Sequence, residues 1–204
     1  MEAVEVSHET LTRLLADTTT ETALVSGAMC LYRVLPILRW DVSSEPSETV
    51  AGLGEWDPEN LPGRLRGLLE GLRDNLDDER FADNPEKIGE LHSMASEMVL
   101  RFLEGNGEEE AAEWSDWCST LSLDIHQQLD ELLDESNERS AAVFIPAGTA
   151  PELTHLESLE LSDQIRTLLG LASFDPVAQG NVLAIAESGN RRTREAIARL
   201  TSSM

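Results

Sequence analysis

Lysine is almost missing from this chain. Fourteen of its fifteen basic residues are Arg and the remaining one is Lys87, against 39 Asp and Glu, so 204 residues carry a formal net charge of −24. A surface so short of positive charge opposes the phosphate backbone of nucleic acids and anionic lipid headgroups, both of which are bound through Lys and Arg. Neither direct nucleic-acid binding nor a membrane is therefore expected. Aromatic residues make up only 4% of the chain, and β-branched residues are sparse beside Leu, Ala and Glu. That balance favours helix over sheet, and the expected fold class is all-α.

Cysteine is limited to Cys30 and Cys118. Their separation and their helical contexts exclude a disulfide framework and zinc-type spacing, and each reads as a small buried hydrophobe. Long apolar runs are also lacking. The longest nearly apolar stretch, Ala23 to Tyr32, is interrupted at Arg33 and falls short of the roughly 20 residues that span a bilayer. The opening Met1-Glu2-Ala3-Val4-Glu5 has neither the basic nor the apolar region of a signal peptide, so a soluble cytoplasmic protein is expected.

Catalytic signatures are lacking too. There is no G-x-S-x-G, Walker loop or G-x-G-x-x-G, and none of His8, His92, His126 and His155 stands in a recognisable nucleophile context. Glu-x-x-His occurs at Glu5/His8 and Glu152/His155. Carboxylate-bridged di-metal bundles place that motif mid-helix, whereas both copies fall at helix onsets or in loops. No catalytic residue, metal ligand or cofactor is assigned, and His126 with Asp130 reads as an i,i+4 side-chain contact.

Helical patterning is abundant. Ser7 caps a first helix to about Asp17, with Leu11, Leu14 and Leu15 on one face. A second runs from Glu21 until Pro36 bends or ends it, and residues 41–57 form a loop bracketed by Trp40 and Trp56. Leucines from Leu61 to Leu76 and the series Ile88, Leu91, Ala95, Met98 and Phe102 give two more core-facing stripes. Ala141 to Ile145 and the Gly-Pro-containing stretch after it read as a short extended linker. Beyond it come helices near Leu161–Leu171, Pro176–Glu187 and Asn190–Leu200. The expected organisation is an acidic bundle of about five helices over 1–139, a linker over 140–151, and a compact helical segment over 152–204 packed on the bundle.

The sharpest feature is a gap. No Lys or Arg lies between Arg101 and Arg139, while Glu104 to Glu138 holds twelve acids, most of them on one predicted helix from Glu109 to Ser136. A helix needing only a solvated face would intersperse both signs, so a single-sign face repels something or attracts something basic. Trp114, Cys118, Leu121, Ile125, Leu129 and Leu132 share its inner arc. Trp117 falls at the edge of that arc and Leu123 points out among the acids. An apolar anchor within a charged surround is the pattern of a protein interface. Asp116, Asp124, Glu131 and Asp134 are thus the expected steering residues for a basic protein partner, with Trp117 and Leu123 as anchors. Arg191, Arg192, Arg194 and Arg199 give the tail a local positive excess, and the first three oppose the start of their own helix; a solvated face is the leading expectation, with acids elsewhere in the molecule or in a second copy as the alternative. The leading expectation is a non-enzymatic neutralising, immunity-type or adaptor protein. The alternatives are a structural helical subunit whose acidity serves solubility, and a metal-dependent helical-bundle enzyme.

Overall fold

The computed structural model describes residues 4–39, 61–73, 76, 86–105, 111–136, 153–173 and 176–203. Among them there are seven α-helices and no strand: α1 His8–Ala16, α2 Thr20–Arg39, α3 Leu61–Arg73, α4 Glu86–Glu104, α5 Ala111–Ser136, α6 His155–Ala172 and α7 Pro176–Ser203. The fold is all-α, with five helices before residue 139 and two after it. The 41–57 loop and its two tryptophans, and the extended run with its linker, lie outside the described residues.

The helices begin where their polar residues can satisfy free amides. Ser7 Oγ accepts from the Thr10 amide at 3.2 Å to start α1, and Thr19 Oγ1 accepts from the Thr22 amide at 3.3 Å to start α2. At α6 the Glu157 carboxylate reaches back to the Thr154 amide at 3.0 Å, so the helix begins at His155, more than a full turn before the expected Leu161.

At the centre stands α2, whose residues from Ala23 to Leu38 are all buried. It packs against α4, α5, α6 and α7. A helix that is apolar all round must be covered on every side. Thr20–Leu38 is long and apolar enough by composition to cross a membrane, more than the Ala23–Tyr32 run suggests, and most of it is buried inside the protein. The same core continues through Leu65, Leu69 and Leu72 of α3, Leu91, Met98 and Phe102 of α4, and Val182, Ile197 and Leu200 of α7. A second, smaller cluster lies between α1, α5 and α6.

Two expected breaks are absent. Pro36 sits inside α2, where it has no amide hydrogen to offer the Tyr32 carbonyl one turn back. Asn190 Nδ2 supplies the donor instead, at 2.8 Å, which lets the helix run on to Arg39. Gly189 and Asn190 likewise do not interrupt α7. A Cβ at Gly189 would stand 2.4 Å from Cδ of Arg33, so glycine is there for close approach to α2. Gly27 plays the same part where α2 meets α5, since a Cβ there would lie 2.6 Å from the Trp114 ring. With α7 continuous, Arg191, Arg192 and Arg194 lie mid-helix, and the opposition to the helix dipole expected from the sequence does not arise.

Candidate functional site

Helix α5 presents three surfaces rather than two. One is the expected apolar arc of Trp114, Cys118, Leu121, Ile125 and Leu129. The second is polar and also buried: Ser115, Ser119, Ser122 and His126 recur at spacings of four, three and four residues, the last three bonding to α6 and α7. The third, a narrow strip of Asp116, Thr120, Asp124, Gln127, Glu131 and Asp134, is the solvent face.

The buried polar surface meets its complement in Glu160 and Gln164, which with the buried Asp163 and Thr167 share a face of α6 at i, i+3, i+4 and i+7. At the middle is an ion pair with both side chains at 0% exposure. Arg33 of α2 donates through Nε to Glu160 Oε2 at 2.7 Å and through Nη2 to Oε1 at 2.8 Å. Ser122 Oγ and Gln164 Nε2 also donate to Oε1, at 2.7 and 2.9 Å. Gln164 is fixed from the other side, receiving the Ser119 hydroxyl at 2.6 Å and donating to the Ser119 carbonyl at 3.1 Å. His126 Nδ1 donates to the Ser122 carbonyl at 2.6 Å, and its Nε2 faces Thr193 Oγ1 of α7 at 3.1 Å. Four helices thus contribute to one network, and each is held at a single depth by it.

Burial alone would raise the Glu160 carboxyl, but the Arg33 guanidinium, His126 and the donated hydrogen bonds hold it down at about 2. Burial would likewise strip the charge from Arg33, and Glu160 overrides this and holds the guanidinium more firmly protonated than usual. Cys30, whose sulfur receives Arg33 Nη2 at 3.2 Å, is pushed up to about 12 by burial, with Arg33 opposing. Burial drives Cys118 upward as well, Cys30 adding to the rise. Both thiols are free and protonated near neutrality.

The sequence-predicted interface residues fall into three groups. Asp116, Asp124, Glu131 and Asp134 are all exposed along the third surface of α5. No Lys or Arg among the described residues forms an ion pair with any of them. Asp124 is raised by partial burial and by the neighbouring Glu157 of α6, an unrelieved like-charge approach. Trp117 is half-buried between α4 and α5, with the guanidinium of Arg101 at 4.4 Å from its ring centre and Glu113 at 2.5 Å from that guanidinium. Leu123 corrects the sequence reading. It is buried, at 7% exposure, against Leu11, Leu161, Ile165 and Leu168, because α1 and α6 cover the side of α5 that the apolar periodicity left open.

Other sequence readings are also corrected. His126 is buried and does not form the surface contact expected with Asp130, whose carboxylate instead accepts the Leu156 amide at the start of α6. Arg192 pairs with the buried Asp163, and Arg194 donates to Asn190 Oδ1 at 3.1 Å. His8 and His155 lie exposed at the first residues of α1 and α6. Among the described residues no three His, Cys, Asp or Glu side chains gather as a metal would need. The Arg33–Glu160 centre was missed entirely, although polar residues at heptad spacing on both α5 and α6 were a readable signal for it.

No protein-family model, curated protein or solved structure matches this chain, so its own residues carry the functional reading.

Proposed function

We propose that this is a non-enzymatic, cytoplasmic helical protein that holds a basic protein partner on the exposed strip of α5. The observation that carries the reading is a contrast in how acids are treated. Acids that the fold uses for itself are given a cation or a backbone amide: Glu160 has Arg33, Asp163 has Arg192 and Arg166, Glu113 has Arg101, and Asp130 and Glu157 accept the Leu156 and Thr154 amides. Asp116, Asp124, Glu131 and Asp134 form no ion pair with any described residue. Four carboxylates in a line then set up a field that draws a cationic surface and speeds encounter, most strongly at low salt. The buried network adds to the non-enzymatic reading, because its titratable groups are enclosed and devoted to one another.

The test is charge reversal of the four acids to Lys, with capture of partners from native lysate compared at low and high salt. Capture by the wild-type protein should weaken steeply with salt, and the reversed variant should lose it. Unchanged capture at low salt by a variant that melts normally would reduce the strip to a solubilising surface.

A further inference from the structure

The smaller hydrophobic cluster has an unusual cover. Its floor is Leu123 of α5 with Leu161, Ile165 and Leu168 of α6, all buried, and α1 lies over it with Leu11 buried and Leu14 and Leu15 partly so. A nine-residue helix is too short to be stable by itself, and only Thr10 and Leu11 of α1 are fully enclosed. Its main neighbour is α6, while α2, the next helix along, is locked into the central core. Such a segment opens at a lower free energy than the body of the fold.

The rim is acidic. Asp124 follows Leu123 on α5, Glu157 lies one turn before Leu161 on α6, and the two are close enough for Glu157 to raise the Asp124 carboxyl, while α1 brings Arg13 as its one strong cation together with Glu9 and Asp17. The floor asks for an amphipathic helix with leucines at the α1 spacing, and the rim asks for positive charge.

We propose that the α5–α6 groove is the anchoring site for a basic amphipathic helix of the partner protein, and that α1 is a strap occupying the groove until that helix displaces it. This rests on the acidic-strip reading and supplies the apolar anchor which that strip lacks once Leu123 is found covered. The partner's leucines would replace Leu11, Leu14 and Leu15, and its Lys or Arg would relieve the Asp124–Glu157 repulsion.

The probe is a fluorescein-labelled peptide of residues 7–17 carrying Glu9→Lys and Asp17→Lys, titrated onto the full chain. Loosening the strap with Leu11→Ser should tighten peptide binding at least tenfold over the wild type, and adding Asp124→Lys should reverse most of the gain. Hydrogen exchange on the wild type is the second measurement, and it stands if Leu11→Ser does not fold. The amides of 11–16 should exchange at least a hundredfold faster than those of 118–130. A folded Leu11→Ser variant that binds no tighter, or α1 amides as protected as those of α5, overturns the proposal. Loss of partner capture on reversing the strip, with no peptide gain in Leu11→Ser, removes the groove and leaves the strip. A peptide gain with capture undisturbed by reversing Asp116, Glu131 and Asp134 alone removes the strip and leaves the groove.

Discussion

Glu160 holds Arg33 through two parallel hydrogen bonds across 127 residues of sequence, and neither side chain touches solvent. A buried pair is dangerous to halve, since the partner left behind keeps its charge and loses its compensation. Glu160→Gln should therefore lower stability by about 3–5 kcal/mol. Replacing both members, as Arg33→Met with Glu160→Leu, should recover most of that loss. Urea titrations of the two variants beside the wild type make the comparison, and equal destabilisation by the single and double changes would count against it.

The same carboxylate gives the fold an acid sensitivity of known sign. Its value falls from 4.5 to about 2 on folding, so its contribution is fully present above 4.5 and disappears as pH falls through 2. That contribution is on the order of 3 kcal/mol. The stability difference between wild type and Glu160→Gln should be constant above about pH 5 and shrink toward pH 2. Subtracting the two urea series cancels the titration of the other acids. A difference independent of pH would refute the assignment.

Glycines divide by what surrounds them. Gly189→Ala drives a methyl into the Arg33 stem and Gly27→Ala drives one into the Trp114 ring, each closer than real carbon contacts allow. Both should lose on the order of 1–3 kcal/mol from overpacking. Gly67 of α3 has nothing within 4 Å, so Gly67→Ala should gain about 0.5–1 kcal/mol through better helix propensity. Thermal melts of the three variants should separate in sign.

Burial raises the Cys30 thiol to about 12 and raises Cys118 as well, which leaves almost no thiolate near neutrality. Ellman's reagent should label neither residue in the native protein and both in urea. Prompt labelling of either one without denaturant would mean that α2 and α5 open more readily than their packing implies.

The fold class was legible because 3.6-residue stripes of leucine and alanine recur wherever a helix meets the main core. What failed was any inference that treated polar residues as outward-facing. Ser119 and Ser122 line the inside of α5 because Gln164 and Glu160 await them there, and His126 because Thr193 does, and a periodicity of apolar residues alone is blind to that. Leu123 escapes the same periodicity, because it lies off the apolar arc and its partners Leu11, Leu161, Ile165 and Leu168 come from α1 and α6. Propensity alone breaks the helices at Pro36 and Gly189, and tertiary contacts to Asn190 and Arg33 override propensity at both.

The position of Glu160 in the chain also sets an order of events during synthesis. At about 5–20 residues per second, Arg33 leaves the ribosome on the order of ten seconds before its counter-ion. Throughout that interval α2 is an apolar helix with a lone guanidinium in its middle, which its neighbours up to α5 cannot enclose as a charge without large cost. The central helix of the bundle therefore settles only once α6 has brought the counter-ion and α7 has closed over Arg33, and a nascent chain stalled before residue 160 leaves the apolar surface of α2 incompletely covered.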